Sequence, residues 1–100
     1  MRSSFSTLQV AKSNGASGTA LVVDELTRKT LQFSTAFTSS LDVEISLDGV
    51  EFFKVGSTVT GPTVIDLPQT AKLLRIHTVT YVGTDDPLVT LGAFLARTDV

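Results

Sequence analysis

Leu41-Asp42-Val43-Glu44-Ile45-Ser46-Leu47 alternates without exception, apolar at every odd position and polar at every even one. A repeat of two belongs to a strand, whose successive side chains leave on opposite faces, so this stretch turns one face to a core and one to water. Asp48-Gly49 follows, a dipeptide that accepts the positive φ values of a tight hairpin turn. Val50-Glu51-Phe52-Phe53-Lys54-Val55 then reads as the returning strand. Pairing Leu47 with Val50 across a two-residue turn puts Val43, Ile45, Leu47, Val50 and Phe52 on the core face and sends Phe53 and Val55 outward. The reading predicts an antiparallel hairpin over residues 41–55.

The same reading extends along the chain in both directions. Thr30 to Thr35 alternates with Leu31 and Phe33 inward, and Thr7–Ala11 and Thr19–Val23 flank a Ser-Asn-Gly-Ala-Ser-Gly loop. Thr63 to Leu67 stops at Pro68, Leu73 to Val82 is apolar on both faces in places, and Leu88 to Ala96 closes the set. β-Branched residues suit a pleated, half-buried surface, and runs of threonine and serine make poor helix interiors. Glycines and prolines cut the chain into short pieces, and none carries a 3.6-residue apolar stripe. The predicted fold is therefore all-β. It is a single antiparallel β-sandwich, jelly-roll-like, of about eight short strands over residues 8–100, preceded by a flexible N-terminal arm over residues 1–7. A chain of 100 residues suits one such domain.

Composition narrows the function classes. Hydrophobic residues make up 42% and charged residues 18%, which excludes a disordered tail. The net charge of −2 argues against nucleic acid as a partner, because a phosphate-binding surface shows as a clustered basic excess. There is no cysteine, hence no disulfide framework, thiolate metal site or cysteine nucleophile. The opening Met1-Arg2-Ser3-Ser4-Phe5 lacks the apolar core of a signal peptide, and no run approaches the length that spans a bilayer, so no membrane partner is expected.

The residue types that carry chemistry read as structural. His77 alternates onto the same outward face as Arg75, and no glycine-framed nucleophile elbow accompanies it. Asp42 and Glu44 share the outward face of one strand, where carboxylates more often solubilise and protect an edge than act as an acid–base pair. Asp85-Asp86-Pro87 and Asp24-Glu25 read as turns, without the spaced carboxylates of a calcium loop. Ser13 to Gly18 has neither the lysine nor the following helix of a phosphate loop. No catalytic residue, metal ligand or cofactor site is predicted, and no enzyme is expected. With no tryptophan, one tyrosine and six phenylalanines, the chain is too poor in rings for a sugar-binding platform. Phe5, Phe53 and Tyr81 stand as candidate interface residues, since a mean hydropathy of +0.28 in so small a domain implies apolar surface better hidden in a protein contact.

The order Gly18-Thr19-Ala20-Leu21-Val22-Val23, Lys29-Thr30-Leu31-Gln32-Phe33-Ser34, Val43-Glu44-Ile45-Ser46-Leu47-Asp48-Gly49-Val50-Glu51-Phe52, Ile65-Asp66-Leu67-Pro68 and Ala71-Lys72-Leu73-Leu74-Arg75-Ile76 resembles small β-sandwich proteins of tailed-phage virions. The resemblance covers roughly residues 18–97, with phenylalanine at position 52 where many relatives carry tryptophan. It implies a structural role: a capsid decoration or cement protein on the virion surface, bound to the major capsid protein and self-associated as a homotrimer. A tail-associated or receptor-binding module, with carbohydrate as one possible ligand, is the alternative it leaves open.

Overall fold

The computed structural model describes residues 3–95. Nine strands and no helix occupy them: β1 (Ser3–Leu8), β2 (Ala16–Ser17), β3 (Leu21–Val22), β4 (Leu26–Ser34), β5 (Ser40–Ser46), β6 (Phe53–Val59), β7 (Thr63–Leu67), β8 (Leu73–Thr80) and β9 (Leu88–Leu95). One sheet has the order β1-β9-β4-β7 and the other β2-β8-β5-β6, with β3 also on β8. Every pairing is antiparallel. Counting β2 and β3 as one strand interrupted at residues 18–20, the first strand pairs with the last, the second with the last but one, and so inward. That nesting is the order of a jelly roll, and the all-β sandwich read from the sequence is the fold observed. Ser3 lies opposite Phe94, so β1 begins where β9 ends.

The core comes from the inward parity of the central strands. Leu31 and Phe33 of β4, Leu41 and Val43 of β5, Leu74 and Ile76 of β8, and Val89 and Leu91 of β9 are all essentially sealed from solvent. Fully burying one such side chain contributes about 1.5–3 kcal/mol. The three buried hydroxyls are paired: Thr78 donates to the Ala11 carbonyl, Ser39 donates to Asp85 Oδ2, and Ser46 Oγ accepts the Gly49 amide. Where the chain crosses from β1 to the other sheet, Gly18 passes so close to Gln9 that a Cβ on residue 18 would sit 1.9 Å from the Gln9 carbonyl oxygen. Only glycine fits there.

The hairpin forms, with a different turn. Asp48 Oδ1 accepts the amides of Val50 and Glu51 at 2.8 and 2.9 Å and the Ser46 hydroxyl at 3.0 Å, while the Gly49 amide donates to Ser46 Oγ. These local bonds take amides that a two-residue turn would have committed to the ladder. The connection therefore widens to residues 47–52, and β6 begins only at Phe53, opposite Ile45. Leu47 and Val50, expected in the core, are 69% and 78% exposed. Phe52 swings to the outer side, its ring 3.8 Å beneath the Arg75 guanidinium. Val55, expected outward, faces buried Val43 and packs on the core.

The N-terminal segment also differs from expectation. Ser3 to Thr7, expected within a flexible arm, pairs residue by residue with β9 as an edge strand. Ser4 and Ser6 face inward at the rim, so the alternation is real but written in serines, which hydropathy does not register.

Candidate functional site

The strands β6 and β7 are the outer edges of the two sheets, and they lie on the same side of the sandwich. Between them opens a trough of about 580 Å³, floored by Val55, Val59, Ile65 and Leu67 and closed at one end by Gly61-Pro62. At Val55 it meets a second hollow of about 230 Å³ bounded by Ile45, Leu47, Asp48, Glu51 and Phe53. The wide connection after β5 produces this second hollow, because it lifts Leu47 off the core and starts β6 at Phe53. Phe53 stays 64% exposed on the hollow's wall. The charged residues lining the two hollows are Asp48, Glu51 and Asp66, all acidic. The amides of Val50 and Glu51, followed by the Ser46 hydroxyl, hold the Asp48 carboxyl below its ordinary value. The trough is thus a largely apolar channel with acidic side chains along its rim.

The outer face of the β2-β8-β5-β6 sheet carries the charge. Arg75 Nε donates to Glu44 Oε1 at 2.8 Å and caps the Phe52 ring. Asp42 Oδ1 accepts from Thr58 at 2.7 Å and lies 3.6 Å from Lys54 Nζ. His77 faces outward as expected, with Nδ1 2.8 Å from Ser17 Oγ. A hydroxyl beside an imidazole is the first half of a nucleophilic dyad. Here Asp42, opposite His77 in register, gives its Oδ1 to Thr58 and Lys54, and neither hollow of the trough includes Ser17 or His77. The pair fastens β2 to β8.

The opposite face presents Phe5. It lies across β9 with ring atoms 3.2–3.3 Å from where a Cβ on Gly92 would stand, beside a shallow hollow of about 210 Å³ that also takes in Arg28, Thr30 and Phe94. The ring is 74% exposed. Of the three candidate interface residues, Phe5 and Phe53 are therefore open but on different sides of the molecule. Tyr81 is only half-exposed and committed elsewhere: its hydroxyl donates to the Asp85 carbonyl, and its amide to Asn14. Asp85 in turn accepts from the Ser39 hydroxyl and from the amides of Thr38 and Ser39 at 2.7–2.9 Å, and these bonds, the Ser39 hydroxyl first, hold its carboxyl below the ordinary value.

No protein-family model matches the sequence, and no curated protein matches it. Among solved structures, the SPBc2 prophage-derived protein YomS superposes with a TM-score of 0.67, over 92% of each chain, at 17% sequence identity. The two chains share a fold. At that identity the likeness concerns the fold alone. Neither the trough nor the Phe5 face was legible beforehand as a unit. The sequence reads Phe53 as outward, whereas the register of β6 sets it opposite Ile45 on the inward parity, where it stays exposed because it stands on the wall of the channel.

Proposed function

We propose that this protein is a structural component of a tailed-phage virion, a decoration or cement protein that binds the major capsid protein and stabilises the assembled head shell. The observation that carries the reading is the apolar trough between the two sheet edges, with Phe53 exposed on its wall. Exposed apolar channels of this size mark protein contacts, and this one offers side-chain surface from both sheets. The shared fold with a prophage-derived protein supports a phage setting. The acidic groups Asp42, Glu44 and Asp85 are tied to fixed partners, in keeping with a scaffold and not with acid–base chemistry.

Cementing works by mass action. A protein that binds only the closed shell stabilises it by RT ln(1 + [L]/Kd) at every site, and many closely spaced sites sum a small term. The test is co-sedimentation of the purified protein with undecorated shells of its phage, followed by heating. Wild type binds and raises the temperature at which shells open, and the binding changes little between low and moderate salt because the contact is apolar. Phe53→Asp weakens binding by about tenfold or more, the cost of losing an interface anchor. Absence of shell binding together with binding to host surface polysaccharide overturns this reading in favour of a receptor-binding module.

A further inference from the structure

We propose that the free edge of β1 pairs antiparallel with β1 of a second copy, joining two molecules through one continuous sheet of order β7-β4-β9-β1-β1-β9-β4-β7. The argument starts from how the four edges of the sandwich are protected. Natural edges are blunted by bulges, charge, proline or shortness, since a bare edge is a template for pairing. β6 carries Lys54 and a bulge at Gly56, whose φ is +73°. β7 has five residues set between Pro62 and Pro68 and carries Asp66. β2 and β3 have two residues each. β1 has six residues, Ser-Ser-Phe-Ser-Thr-Leu, with no charge, proline, glycine or bulge. Among the described residues it is the one edge of the four left without a guard.

The occupant follows from its symmetry. An uncharged strand meets its own copy without opposing like charges, which any strand bearing a lone Asp or Lys on the axis cannot do. A two-fold axis perpendicular to the sheet keeps each face on its own side, so opposed residues must share parity. With Phe5 on the axis, Ser4 opposes the partner's Ser6 and Ser3 opposes the partner's Thr7, giving hydroxyl–hydroxyl pairs around one aromatic pair. Phe5 is already set for this: one side of its ring rests on Gly92, and most of the remainder faces solvent. A second ring alongside it buries that surface. Moving the axis to Ser6 would instead press the partner's Ser4 against Leu8, at the crossing where Gln9 and Gly18 leave the sheet. Pairing β1 head-to-tail with the partner's β7 would instead set it against Asp66 and two prolines.

The pairing is independent of the shell-binding reading and is measured without shells. Light scattering on the full chain at tens of micromolar should give twice the 10.6 kDa chain mass. The chain has no cysteine, so single-cysteine variants report the register cleanly. Phe5→Cys brings two Cα atoms to about 4.5–5.5 Å across the axis, inside the range of a disulfide, and should cross-link under mild oxidation. Thr7→Cys leaves its two thiols about 13 Å apart along the ladder and should stay uncross-linked. Phe5→Tyr should keep the dimer mass and Phe5→Lys should give the monomer mass. A wild-type monomer or trimer, Phe5→Cys failing to cross-link, or Thr7→Cys cross-linking as fast as Phe5→Cys overturns the proposal.

Discussion

Asp85 sits in the connection after β8, yet its carboxylate organises the connection before β5, by way of the Thr38 and Ser39 amides and the Ser39 hydroxyl. Those bonds favour the ionised form, so its folded-state pKa lies below the value in the unfolded chain, and Asp48 behaves likewise. The unfolded state then binds more protons in acid. The stabilisation is fully present above the unfolded value, near 4, and is lost as pH falls through the lowered folded values. The thermal midpoint of the wild type should therefore fall below about pH 4, and Asp85→Asn should have a lower midpoint at neutral pH with a flatter acid limb. Calorimetry from pH 7 to pH 3 on both proteins decides it, since parallel curves would remove Asp85 as the source. Gly18→Ala is the second test at this scale. Its Cβ would collide with the Gln9 carbonyl oxygen at 1.9 Å, a backbone atom that cannot rotate away, so a loss of about 3 kcal/mol or more is expected in denaturant unfolding. The Gly-Thr-Asp-Asp-Pro stretch reads correctly as a turn, but nothing local in it tells which amides Asp85 will hold. That partner is chosen by the nesting of the strands.

Between elements, the β5–β6 hairpin separates what periodicity can show from what it cannot. The alternation of residues 41–47 places Val43 and Ile45 inward, as found, because parity depends only on the strand itself. Register depends on the turn, and there the Asp48 carboxylate competes with the ladder for the same amides. Apolar residues at 41 and 47 are thus alike in pattern and unlike in energy. Leu41→Ala should cost about 2–5 kcal/mol and Leu47→Ala within about 0.5 kcal/mol, read by urea titration. Equal costs would mean that Leu47 is buried after all. β1 shows the opposite case: its inward serines and outward phenylalanine invert the usual pattern, so a strand at the rim looks like a polar arm. Removing residues 1–8 should accordingly destabilise and aggregate the protein, by taking Leu8 from the core and baring the edge of β9. A shortened chain that melts like wild type would return the segment to the status of an arm.

For the molecule as a whole, the jelly-roll order means that the first strand cannot pair until the last has been made. Such topologies fold in milliseconds to seconds, because long loops close before their contacts form. Stopped-flow refolding should fall in that range, and a microsecond phase carrying the full amplitude would contradict it. The same arrangement sets how the molecule answers a mechanical load. Ser3 faces Phe94, so the outer ends of β1 and β9 lie side by side at one pole. Tension applied through those ends opens the ladder like a zipper, breaking its six residue pairs in succession instead of straining them together. Pulled by its ends, the domain should yield at low force whatever its resistance to heat. A handle attached along the sheet faces instead would load many backbone bonds at once and meet a far stiffer body.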